Sequence, residues 1–480
     1  MGKKRRASSA DPTRAAMGLY ERSLSALDGG DEAAALALLD GAARALALAP
    51  GSDVASGLGA EVELARGRLL EASDAPAAAA AYEASHRADG NAAAAVLAAR
   101  LAWLEDAPDV EKLLRRGLAA AAGDGDARRD ASELLCRFLL ERGDDSGAAA
   151  LLVDLGYAAT FSPRALAGRL PTQPAAREAG APRVWDGLLP AAALAALRAA
   201  FADGAAYYAE NDYGSPSVGF FSFRVALPTS LGVVRRVYEA VEREFPEVAA
   251  ATHAEFWAHR RRHGHGHELH YDSVPGLRAG DAPRHPLVST VLCVDGAAGG
   301  PTLVTDQTFG SRASRCWAAA PRANRLLAFD GRALHGVLPG AGAAPGRRVT
   351  FMVNFWACDP TSGDAPDPEA TRGACAAFPP PGCAWPSDLA AAAPPADAAP
   401  PAAAPAAAAA LDDVVFRAPG AAPGPLDLLG DASFFDCLEL LGCEARGGGA
   451  GDAAPDDAAR RRPTIRDALA RKRARRRARR

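Results

Sequence analysis

The stretch His263-Gly264-His265-Gly266-His267-Glu268-Leu269-His270-Tyr271-Asp272 carries four of the chain's nine histidines within eight residues. A zinc-protease reading fails at once, because H-E-x-x-H needs both histidines on one helical face. His267-Glu268-Leu269-His270 is one residue short of that motif, and the flanking glycines oppose a helix. His270 and Asp272 fit a strand instead. Residues i and i+2 of a strand point to the same side, so an imidazole and a carboxylate can grip one ion together. A third ligand must then come from elsewhere in the sheet. The best candidate is His335, just after the apolar run Leu326-Leu327-Ala328-Phe329.

Two histidines and one carboxylate on one face of a metal leave three coordination positions open, the facial-triad arrangement suited to non-haem Fe(II) and O2. Downstream, Gly346-Arg347-Arg348-Val349-Thr350 opens a β-rich run. Arg348 and Thr350 share a strand face, and a planar guanidinium fork suits bidentate binding of a carboxylate. Arg347 beside it leaves a one-residue ambiguity. Arg348 is preferred, because Gly-x-Arg and Arg-x-Thr both register on it.

These motifs together resemble the 2-oxoglutarate- and Fe(II)-dependent dioxygenases, within them the prolyl 4-hydroxylase-like branch. Gly264, six residues before the first histidine of the triad, matches that branch. So does the order Gly299-Gly300-Pro301-Thr302, Arg325-Leu326-Leu327-Ala328-Phe329, His335 and Gly346-Arg347-Arg348. The resemblance covers about residues 182–357. It implies a double-stranded β-helix (jelly roll), with iron held by His270, Asp272 and His335. It implies further that Arg348 binds the distal carboxylate of 2-oxoglutarate with help from Thr350. O2 is the co-substrate, succinate and CO2 are the products, and the resemblance leaves room for ascorbate. One departure stands out: the branch usually has an aromatic residue where this chain has His267.

Outward from this core, the sequence has other textures. Residues 12–160 read as helical, with Leu and Ala at three- and four-residue spacing between short turns such as Gly29-Gly30-Asp31 and Arg142-Gly143-Asp144. The turn spacing resembles a tetratricopeptide-like array, with a plain helical bundle as the alternative. From residue 182 the pattern changes to a helix at Ala191–Phe201, a strand-like piece at Gly219–Val225 and a helix near 231–244. Short strands follow at Leu287–Asp295, Pro301–Thr305, Arg325–Asp330 and Arg347–Trp356, a rhythm that favours a sandwich or barrel over βαβ units. Residues 358–459 read as a largely disordered Pro/Ala-rich linker, with one apolar block, 426–441, that forms a helix or binds a partner. The expected class is therefore a multidomain α + β protein: helical repeat-like region, jelly roll, disordered linker and basic tail.

The 480 residues carry a formal net charge of −4, but residues 460–480 hold twelve Arg or Lys and one Asp, leaving the body at −15. That tail reads as an import signal or as a contact for nucleic acid; with no interleaved aromatics, base stacking is not indicated. No run is apolar enough for a membrane span, and the basic start lacks the apolar core of a secretory signal. Eight cysteines without a C-x-x-C pair give neither a disulfide scaffold nor a zinc ribbon. A cytoplasmic or nuclear protein, not a secreted one, is expected.

Weighed against blander roles, His263, His265 and His267 read as a solvated strand or loop, with His267 at most a support beside the metal ligands, Tyr271 as packing, Trp257, Trp317 and Trp356 as core, and Cys293 as buried and inert. The functional expectation is a dioxygenase that hydroxylates a protein or peptide side chain, prolyl as the first guess, brought in through the helical region. Two rivals come from other classes: a non-catalytic helical adaptor whose β-domain binds metal or ligand, and a polyanion-binding protein acting through its tail.

Overall fold

The computed structural model describes residues 11–440, apart from 29–30, 49–52, 72, 106, 171–172, 175–179, 212–220, 274–282, 297, 342–345, 362–374, 395–398, 430–432 and 439. The basic tail and part of the strand-like piece expected at Gly219–Val225 therefore lie outside the described residues. The chain divides into two compact units, one ending at Ser132 and one running from Glu133 to Asp452.

The first unit contains helices α1 (Pro12–Asp28), α2 (Glu32–Ala47), α3 (Asp53–Leu70), α4 (Ala75–Asp89), α5 (Ala92–Leu104) and α6 (Val110–Ala120). The boundary falls inside α7 (Gly125–Arg142), and α8 (Asp145–Leu155) belongs to the second unit. The turn residues mark helix starts because their side chains satisfy free amides. Asp31, Asp74 and Asn91 accept from the amides of Ala34, Ala77 and Ala94. Alanine-rich surfaces let the helices approach closely. At Gly67 a Cβ would lie 2.4 Å from the buried Tyr82 ring, so only glycine admits this contact of α3 with α4.

The second unit is built on three sheets, with strands numbered along the chain. The largest runs in the spatial order β13 (Ala376–Ala377), β4 (Phe223–Ala226), β5 (His253–Arg262), β12 (Arg347–Trp356), β7 (Val288–Cys293), β10 (Arg325–Asp330), β3 (Arg183–Asp186) and β14 (Ala404–Pro405). The second runs β2 (Gln173–Pro174), β15 (Ala407–Ala410), β9 (Arg315–Ala319), β8 (Thr302–Thr305), β11 (His335–Val337) and β6 (His267–His270). A three-stranded sheet joins β16 (Val415–Arg417), β1 (Ala159–Phe161) and β17 (Phe434–Phe435).

Strand alternation assigns the faces. On β12, Val349, Phe351, Val353 and Phe355 point to a core they share with Phe256, Val288, Leu292 and Leu326 and with helices Ala191–Ala200 and Gly232–Val241. The opposite face meets the second sheet: Leu327 and Phe329 pack on Val304 and Trp317. This two-sheet arrangement is compatible with the jelly roll expected from sequence. The inter-sheet layer is apolar beside β10 and polar beside β5 and β12, where His259, Arg348, Thr350 and Asn354 alternate with the helix-side apolar residues.

The expectation of a largely disordered 358–459 needs correction for its described part. β14 and β15 are strands of the two sheets. Trp385 is fully buried, its ring 5.0 Å from Tyr207 and 4.7 Å from Phe223. Alanine needs no bulk to join a sheet through its backbone, and Pro405 sits in the edge strand, where its missing N–H costs no ladder bond. The described residues of the 426–441 block form no helix: β17 pairs in parallel with β1, and Leu428 and Leu438 are buried.

Candidate active site

β6 and β11 are antiparallel neighbours whose register places His335 directly opposite His270. Asp272 follows two residues beyond His270. The three side chains converge, with one potential ligand atom from each lying within 4.8 Å of the others. His270 Nε2 is 3.7 Å from one oxygen of Asp272, and His335 Nε2 is 3.6 Å from the other.

Backbone carbonyls set the tautomers. His270 Nδ1 lies 3.0 Å from the Glu268 carbonyl, and His335 Nδ1 lies 3.0 Å from that of Ala333. A carbonyl only accepts, so each Nδ1 carries the proton and each Nε2 presents its lone pair to the shared point. Burial, and then His335, push His270 below the ordinary imidazole value, which keeps it neutral near pH 7. Burial works to protonate Asp272, but His335 and His270 beside it, with hydrogen bonds from Ser289 and Asn354, outweigh that and hold it below the usual carboxylate value. The Ser289 Oγ donates to Asp272 at 2.7 Å. Two imidazole Nε2 atoms and a carboxylate on one side of a point are a donor set that fits Fe(II). His335 is almost fully enclosed, whereas the His270 side chain keeps 31% of its surface open, so the group is reached from the His270 side.

Arg348 lies on the inter-sheet face of β12 and is buried, its Nη2 donating to Thr302 Oγ1 at 2.8 Å. Arg347 alternates to the other face, with Val349 and Phe351. Gly299 explains the Gly299-Gly300-Pro301-Thr302 signature. Its φ is +90°, and a Cβ there would come within 2.6 Å of Arg348 Cδ, so glycine both adopts the turn and makes room for the arginine. Thr350, also buried, lies between His259 and Cys293 in the strand register.

The reading of His263 and His265 as a solvated tract needs correction, while His267 does stand beside a metal-ligand candidate. His263 accepts from the Gly299 amide at 3.0 Å, His265 is buried, and the His267 ring stands 4.6 Å from that of His270. These residues lie along the turn into β6, and the glycines between them serve close packing: at Gly266 a Cβ would lie 2.6 Å from the Leu438 carbonyl oxygen. His267 and His259 are both held neutral, by burial first and then by Arg261. Tyr271 does point away, its hydroxyl accepting from Gln307 Nε2 at 3.2 Å.

Sequence reasoning did not pick out Ser289, Asn354, His259 or Arg261, and named Thr302 only within a signature. A signal was available for one of them: Asn354 is a lone amide in the apolar run Phe351-Met352-Val353-Asn354-Phe355-Trp356.

No protein-family model matches the chain, and no curated protein matches it. Solved structures give distant matches. A Pseudomonas putida prolyl-4-hydroxylase is 16% identical, over 39% of this chain and 88% of that one, with a TM-score of 0.25. A Trichoplax adhaerens prolyl hydroxylase, in complex with a hypoxia inducible factor peptide fragment, is 12% identical over 37% and 84%, with a TM-score of 0.25. HygX from Streptomyces hygroscopicus, with nickel and 2-oxoglutarate bound, is 13% identical over 38% and 88%, with a TM-score of 0.23. At these values the matches carry no argument, and the reading below rests on the residues.

Proposed function

We propose that this chain is an Fe(II)- and 2-oxoglutarate-dependent dioxygenase that hydroxylates a protein or peptide side chain, a prolyl residue first among the candidates. The observation that carries this reading is the convergence of two lone-pair-bearing Nε2 atoms on opposite oxygens of the Asp272 carboxylate. In this reading His270, Asp272 and His335 hold the metal, and Arg348 binds the distal carboxylate of 2-oxoglutarate, with Thr350 beside it. The bound iron, with 2-oxoglutarate and O2, supplies the oxidising chemistry. The chain's own residues do the rest. Ser289 and Asn354 orient Asp272, the Glu268 and Ala333 carbonyls fix the imidazoles, and Phe329, whose ring stands 4.7 Å from His335, shields the inner side from water. The helices of the first unit, read as a tetratricopeptide-like array, would present the substrate, and the basic tail would serve an import receptor or nucleic acid.

Supplied with Fe(II), 2-oxoglutarate and air, the wild-type protein is expected to form succinate, faster with proline-containing peptides, and His335→Ala to form none above background. Equal succinate from wild type and His335→Ala would remove the reading.

A further inference from the structure

The polar side of the inter-sheet layer holds a second arginine. Arg261 of β5 stands directly opposite Arg348 of β12 in the antiparallel register. Phe256 and Ala258 of β5 point to the helix-side core, so alternation sends His259 and Arg261 toward the second sheet. Arg261 reaches across to it: its Nη2 lies 3.3 Å from His267 Nδ1 on β6. Arg348 points into the same layer. Two guanidinium groups thus face one inter-sheet layer.

Among the described residues neither arginine is within ion-pair distance of a carboxylate, and the partners found are of other kinds: His267 for Arg261, Thr302 and Cys293 for Arg348. Arg348 is 4% exposed and its Nε has no hydrogen-bond partner. A buried cation left without a counter-charge is unfavourable, and an anion delivered from solution offsets that penalty. One arginine suffices for one carboxylate; two adjacent ones make a clamp.

We propose that Arg261 is a second binding residue for the distal carboxylate of 2-oxoglutarate, closing on it from β5 while Arg348 holds it from β12. This rests on the oxygenase reading above and deepens it. A guanidinium at Arg261 makes the site select for dicarboxylic 2-oxo acids more sharply than a single arginine would, because both cations are stranded when the distal carboxylate is missing.

The test uses the full chain, loaded with Fe(II) under anaerobic conditions and titrated by calorimetry with 2-oxoglutarate and, separately, with 2-oxobutyrate, which lacks the distal carboxylate. Arg261→Ala and Arg348→Ala are each expected to weaken 2-oxoglutarate at least about tenfold, as for loss of a charge-assisted hydrogen bond. Neither should change 2-oxobutyrate by more than about twofold, and Arg261→Lys should recover part of the loss. Far-UV circular dichroism checks that the variants fold, with Arg261→Gln as the substitute should Arg261→Ala not fold. Wild-type affinity in Arg261→Ala beside a weakened Arg348→Ala overturns the clamp alone. So does an equal loss of both ligands in Arg261→Ala, which marks a structural role. Wild type binding neither 2-oxo acid overturns the clamp and the oxygenase reading together.

Discussion

Asp272 earns its ionised state from residues far away in sequence. Ser289 of β7 donates to it, Asn354 of β12 stands opposite Ser289 in the register, and both carry a carboxylate that burial alone would protonate. Removing such a supporting bond loosens a ligand without deleting it, so Ser289→Ala and Asn354→Ala should each weaken Fe(II) about tenfold or more with the fold intact. A metal titration beside a melting curve checks this; unchanged affinity in both would deny them the role. Deeper on the same face, Glu255 accepts from Ser222 Oγ at 2.5 Å and Trp356 Nε1 at 3.0 Å. Burial, reinforced by the charge of Asp272, raises its pKa from 4.5 to about 7. The folded state thus holds this proton more tightly than the unfolded state. The stability it contributes is full below pH 4.5 and is lost as the pH rises through about 7. That span is worth about 3 kcal/mol. Glu255→Gln should flatten the decline in melting temperature between about pH 5 and pH 8; parallel profiles for the two proteins would contradict it. At this scale the sequence shows His270 and Asp272, two residues apart on a strand, and places His335 after a strand. The bonds that orient them join residues brought together only by sheet register, and a local pattern does not carry them.

At the scale of elements, β6 deserves the most weight, since it carries His270 and forms the edge of its sheet. An open strand edge invites slippage. The chain closes this one with a segment from its far end: the Leu269 amide donates to Asp436 at 2.9 Å, and the Leu438 amide donates to the same carboxylate at 3.0 Å. Asp436→Ala leaves both amides without that partner and should cost roughly 1–3 kcal/mol. Amide exchange at Leu269 should accelerate together with a lower melting temperature; exchange as slow as in wild type would show that the edge needs no such cover. Sequence reading took this apolar block for a helix or a partner site. Its actual neighbours explain why: Thr160 Oγ1 donates to the Phe435 carbonyl across 275 residues of chain, a separation no local periodicity reports. By contrast β7, β8, β10 and β12 were legible, because each is a short apolar run closed by Gly, Pro or polar residues.

For the whole molecule, the most instructive difference is the Pro/Ala-rich segment. Composition averaged over 378–425 hides a few anchors, Trp385, Leu389, Leu411 and Val414, each buried. Between the anchors, alanines supply backbone hydrogen bonds to strands already present: Ala407–Ala410 pair with Arg315–Ala318 of β9. A segment can be poor in apolar bulk and still fold when a preformed sheet offers it an edge. Ending the chain after Pro400 removes β14 to β17 and uncovers both sheets, so the truncated protein should melt at least about 5 °C lower or aggregate. A melting temperature equal to that of the full chain would restore the picture of a dispensable linker. The central claim, that His270, Asp272, His335 and Arg348 form one Fe(II)/2-oxoglutarate site, is tested most directly by anaerobic titration of the purified protein with Fe(II) and 2-oxoglutarate, watching the visible charge-transfer band of the chelate. The band should appear in wild type, vanish in His335→Ala and shift to much higher 2-oxoglutarate concentration in Arg348→Ala; a folded, iron-loaded wild type that shows no band would contradict the account.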